Sequence, residues 1–188
     1  MKPEHRALLR LAAAGLSPRA VDKLLERHGE PGDAVSAVVR GRTDVPDVAR
    51  EAVAVPADDR LEQLDRVGAR FVPEGIPAFP RRLSRVRSAP RWLFTMGSLR
   101  EDPTVGIVGT RTCTRYGLEL AEAYGRAAAE RHWVVVSGLA RGIDAAAHEG
   151  VVQERGRAWA VLGSGIDVMY PRSNLALRDR LLEIGGVV

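Results

Sequence analysis

Apolar positions along this chain fall into three regimes. From residue 4 to about 55 they recur at helical spacing. Leu8, Leu9, Leu11 and Ala12 form one stripe closed by Gly15; Val21, Leu24 and Leu25 form the next, closed by Gly29. Between them Ser17-Pro18 is a helix start signal, a capping hydroxyl followed by a proline whose missing N–H costs nothing there. A third short helix is predicted over residues 33–39, ending at Gly41, then an amphipathic helix over 58–68 and a strand over 69–72. The pattern then breaks: Pro77, Pro80 and Pro90 exclude a continuous helix, and the stretch ends in an apolar strand at 92–96. From residue 105 the pattern alternates, with strands at 105–108, 133–136 and 158–162 and helices at 115–130, 143–154 and 173–184.

That alternation predicts an α/β fold, a parallel sheet with helices on both faces. Gly185-Gly-Val-Val188 reads as the opening of a fourth strand, so the sheet is expected to be incomplete at its C-terminal end. The predicted division is a helical domain at 1–57, a connector at 58–103 and the α/β domain at 104–188.

Charge changes the picture in the connector. Between residues 75 and 100 there is no acidic residue, while Arg81, Arg82, Arg85, Arg87, Arg91 and Arg100 all fall there. A solvated linker is the plain alternative to an electrostatic footprint for nucleic acid. Over the whole chain the net charge is +4, and all 28 cations but Lys2 and Lys23 are arginine. Arginine grips phosphate bidentately, although genome composition also enriches it. A single cysteine, Cys113, fits a reducing compartment, and neither a membrane span nor a signal peptide is evident, so the expected location is cytoplasmic.

Three loops carry the candidate chemistry. They are Gly109-Thr-Arg111, Ser137-Gly-Leu-Ala-Arg141, and Gly163-Ser-Gly165 running on to Tyr170-Pro-Arg-Ser-Asn174. Each follows a strand and opens toward a helix start, where free backbone N–H groups and the helix dipole favour an anion. In a parallel sheet all three emerge at one edge. Arg115 and Arg141 sit near helix starts that disfavour cations, consistent with an anion arriving between them. The chain lacks a three-glycine dinucleotide fingerprint and a Gly-Lys-Ser/Thr phosphate loop, and its histidines lack metal-ligand spacing. No cofactor or metal is expected. Asp144 and Asp167 are readable as a general acid/base pair or as helix-cap residues. Gly15-Leu-Ser-Pro18 similarly fits a helix-hairpin-helix turn or a small packing domain.

On these motifs the chain resembles the DNA-processing protein A (Smf) family. The resemblance rests on Gly109-Thr-Arg111, on Ser137-Gly-Leu-Ala-Arg-Gly-Ile-Asp144 with Ala-Ala-His148, and on Gly-x-Asp-x-x-Tyr-Pro-x-x-Asn from Gly165 to Asn174. It implies a Rossmann-like domain behind a helical SAM-like domain. It also implies binding of single-stranded DNA, delivery of the RecA recombinase during natural transformation, and homodimers in the full-length family. Enzymatic activity is not implied. DNA contact is expected at Gly109, Thr110, Arg111, Arg115, Ser137, Gly138, Leu139, Ala140, Arg141, Ser164, Gly165 and Asn174. The later strands and Arg-Asn-Arg segment of the family do not occur in this sequence, so a fragment or truncated product is expected. The competing expectation is a nucleotide sensor or phosphoribohydrolase-like enzyme on a related fold; the Pro-Gly-Gly-x-Gly-Thr loop of those enzymes is not found here.

Overall fold

The computed structural model describes residues 1–87, 89–100 and 102–188; Ser88 and Glu101, both within the predicted connector, lie outside the described residues. The described residues form two compact units, Met1–Leu93 and Phe94–Val188.

Unit 1 is built from α1 (Pro3–Ala12), α2 (Pro18–His28), α3 (Pro31–Val39), α4 (Asp47–Ala54) and α5 (Ala57–Arg66), followed by β1 (Arg70–Pro73), a 3-10 turn (Leu83–Arg85) and the first residues of β2 (Trp92–Gly97). Proline opens α1, α2 and α3, where its fixed φ suits the helix and no N–H is lost. Ser17 caps α2, its Oγ accepting the Ala20 N–H at 3.2 Å, and Gly29 closes it at φ +79°. Leu9, Leu11 and Val21 of the predicted stripes meet Val38 of α3 and Val53 of α4 as a fully buried core; α4 is not among the predicted helices. Each such side chain contributes about 1.5–3 kcal/mol. Arg10 fastens α1 to the end of α4 by donating to the Val53 carbonyl at 2.9 Å. Beside β1, the Glu74 N–H donates to the Arg91 carbonyl at 2.8 Å.

Unit 2 continues β2 and adds β3 (Thr104–Gly106), α6 (Arg115–Glu130), β4 (Val134–Ser137), α7 (Ile143–Gln153), β5 (Arg157–Ala160), a 3-10 turn (Arg172–Asn174), α8 (Leu175–Ile184) and β6 (Gly186–Val187). Its strands lie in the order β2-β6-β5-β4-β3. From β3 to β6 neighbours are parallel, with Val105 opposite Val135, Val135 opposite Ala158 and Ala160 opposite Val187. β2 then pairs antiparallel on β6, Met96 opposite Val187. The strand opened by the last residues therefore takes an interior place, and β3 is the edge. Gly97, Gly185 and Gly186 stand where these strands crowd: a Cβ on any of them would strike neighbouring backbone.

α6 packs on α7, α7 on α8, and all three lie against strands that they connect, the Rossmann-like α/β arrangement that the alternation predicts. The α6–α7 seam is close because Gly125 lies against the Ala147 carbonyl and Gly150 against the Glu122 carbonyl, with no room for a side chain at either. Two strands end earlier than predicted, at Gly106 and Ala160. The apolar residues beyond them, Val108 and Val161, belong to exposed loops.

Candidate nucleic-acid interface

Because β3, β4 and β5 are parallel, the loops that follow them leave the same edge of unit 2. All three line one cavity of about 300 Å³. Arg111 comes from the first loop, Gly138, Ala140 and Arg141 from the second, and Gly163, Ser164, Tyr170 and Pro171 from the third. No carboxylate lines it. Arg111 and Arg141 are exposed, and among the described residues neither forms an ion pair.

Behind the cavity the loops are wired together. Asp144, buried in the first turn of α7, accepts the Gly138 N–H on Oδ2 at 3.1 Å and the Gly109 N–H on Oδ1 at 3.4 Å. A Cβ at Gly138 would lie 2.7 Å from the same Oδ2, so glycine is needed for the approach. Of the two readings open for Asp144, the structure supplies the structural one: a carboxylate shared by two loops. Ser137 is buried, and its hydroxyl donates to the Ile107 carbonyl at 2.6 Å. Gly142, at φ +85°, passes so close to the Thr110 carbonyl that only glycine fits. Asn174 ties the third loop to the second, its Nδ2 donating to the Leu139 carbonyl at 2.9 Å.

Among the expected contact residues, then, some face the cavity and others face the protein. Arg111, Ala140, Arg141 and Ser164 line it. The N–H of Gly138 turns inward although the residue lines the wall, and that of Gly109 does likewise. Leu139 is fully buried at φ +55°. The Thr110 hydroxyl closes a local turn with Thr112, and that of Ser164 donates to the Val168 carbonyl at 2.6 Å. Gly165 is exposed on the third loop. Arg115 pairs with Glu119 at 2.8 Å on the open face of α6, a pair worth little at such exposure. Spacing singled out neither Gly163 nor Pro171 as wall residues; both belong to or adjoin the Gly-x-Asp-x-x-Tyr-Pro-x-x-Asn motif that held the signal.

Beneath the second loop, His148 is fully buried on α7, and neither ring nitrogen finds a hydrogen-bond partner of ordinary geometry. Burial pushes its imidazole down to about 4, against the opposing pull of the Trp159 backbone and the Asp144 charge. It is neutral at pH 7. Among the described residues no cluster of His, Cys, Asp or Glu could hold a metal ion, and no helix is long and apolar enough to cross a membrane.

A profile described as DNA recombination-mediator protein A matches residues 70–188. The chain belongs to this family of recombination mediators. The match begins where β1 begins and covers all three rim loops. Among curated relatives, the DNA processing protein DprA of Streptococcus pneumoniae is 33% identical over 188 residues, covering 95% of this chain and 64% of the relative. The putative DprA of Mycobacterium tuberculosis is 34% identical, covering 97% of this chain and 52% of the relative. The chain thus spans less than two thirds of the length of either. Among solved structures, S. pneumoniae DprA superposes with a TM-score of 0.75 at 30% identity, covering 100% of this chain and 67% of that one. A Helicobacter pylori structure, titled for the unique single-stranded DNA binding mode of its DprA, shares the fold at a TM-score of 0.55 and 23% identity, over 63% of this chain and 54% of that one.

Proposed function

We propose that this chain binds single-stranded DNA at the rim of unit 2 and, as a recombination mediator, helps load the RecA recombinase onto it during natural transformation in the cytoplasm. One observation carries the reading: three loops of a parallel sheet converge on a cavity with two unpaired arginines and no carboxylate in its wall. The single-stranded DNA named for the H. pylori relative fits that chemistry. Arg111 and Arg141 meet phosphates, and Thr110, Ala140, Ser164 and Gly165 add neutral contacts beside them. Gly109, Ser137, Gly138, Leu139 and Asn174 act by fixing loop shape, and Arg115 adds charge nearby. Residues 104–188 carry this function, with 1–57 and 58–103 as a separate helical part and connector. The assembly partners are RecA and a second copy of the chain.

Tyr170 is the aromatic side chain in the cavity wall, so the grip depends on phosphates more than on stacked bases. Affinity for labelled poly-dT, read by fluorescence anisotropy at two salt concentrations, is expected to fall steeply with salt. Arg111→Ala should reduce the log–log slope by about 0.7, the share of one phosphate on a single strand. Salt-independent binding would overturn the reading, and an unchanged slope in Arg111→Ala would remove that residue from the site.

A further inference from the structure

Unit 1 holds an arginine-lined cleft that the rim does not explain. Its volume is about 840 Å³, and it runs between the first turn of α2 and residues 84–87 and 89–91 of the acid-free stretch. Four arginines line it, Arg19, Arg85, Arg87 and Arg91, against two carboxylates, Asp22 and Glu74. Arg91 is neutralised by Asp22. Arg19, Arg85 and Arg87 are exposed and have no ion pair among the described residues. Glu74 alone cannot balance three guanidinium groups.

Like charges brought to one cleft repel each other, and Arg19 carries a further penalty at the positive end of the α2 dipole. Among the described residues only Glu74 is left in the cleft to offset this, so an anionic ligand is the partner its charge suits. Guanidinium forks pair bidentately with phosphate oxygens. No aromatic side chain lines the cleft, which leaves bases nothing to stack on and directs recognition to a backbone.

We infer that the cleft between the start of α2 and residues 84–87 is a second phosphodiester-binding site, taking a stretch of nucleic-acid backbone through Arg19, Arg85 and Arg87. It stands independently of the rim. The test uses the full chain, with Arg111→Ala and Arg141→Ala to disable the rim, and labelled oligo-dT and duplex probes of about 20 nucleotides at low salt. Residual, salt-sensitive binding is expected, and adding Arg19→Ala, Arg85→Ala and Arg87→Ala should abolish it. In the rim-disabled chain the oligo-dT log–log slope should be about 2, the share of three phosphates on a single strand. Replacing the three by lysine should restore the slope, which separates lost charge from lost structure. An unchanged slope in the triple alanine variant overturns the site. So does binding of inorganic tripolyphosphate at the cleft without binding of either nucleic acid, since that marks a free-anion site. If the rim reading fails instead, Arg111→Ala and Arg141→Ala leave affinity intact while the cleft variant still removes it.

Discussion

The rim of unit 2 and the cleft of unit 1 both gather arginine, but they are built differently. At the rim, two guanidinium groups ride on short strand-to-helix loops whose backbones are fixed from behind by Asp144, Gly142 and Asn174. In the cleft, two of the three uncompensated arginines sit in or just after the 3-10 turn of a proline-punctuated stretch fastened by the Arg91–Asp22 pair. The rim is designed for position, the cleft for charge. A fixed site gains from donors that need no reordering on binding, whereas a charged groove tracks a backbone without demanding registry.

That contrast is breakable. The largest effect is expected where the rim stands on the α6–α7 seam. Gly125→Ala drives a methyl group into the Ala147 carbonyl, and should cost about 3 kcal/mol in urea unfolding. A cost below about 1 kcal/mol would mean that the seam yields, and the rim with it.

Next comes the buried imidazole under the second loop. His148 titrates at about 4 in the native chain and near 6.5 when unfolded. Between those values the unfolded chain binds a proton that the native one excludes. Stability should therefore fall by about 3 kcal/mol as pH drops from about 6.5 to about 4. In His148→Leu that fall should be absent, and a retained pH dependence would assign it to other groups.

Smaller again is Asp144→Asn, which keeps the shape but loses the charged acceptor shared by the Gly109 and Gly138 amides. About 2 kcal/mol of stability should go, and oligo-dT affinity at the rim should weaken. Binding retained by the Arg19, Arg85 and Arg87 cleft should not change. If both fall together, the two sites are not independent.

Much of this was legible before the fold was in view. The helix over residues 115–130 was readable because a helix-like pattern fills the space between two β-branched runs, and α6 occupies those residues. Ser17-Pro18 announced α2 because cap chemistry is local. The alternation of short β-branched runs with helices likewise announced parallel strands with their loops at one edge. What stayed hidden is non-local. Nothing in the spacing says that Asp144 engages the first loop as well as its own, or that Ser137 turns its hydroxyl to Ile107. Those outcomes depend on which strands become neighbours, and the strand from 92 to 97 was readable as a strand but not as the partner of the last one.

That last pairing has a consequence for how the domain assembles. Met96 and Val187 belong to the first and last strands of unit 2, so their union closes a very long chain segment. It gains little until the intervening strands are in place. β2 should therefore dock late and let go early. Whenever it is detached, β6 offers an open row of N–H and C=O groups beside a fully buried valine, a ready template for another strand. The hazard of aggregation during synthesis or heating thus concentrates at one short, glycine-rich seam.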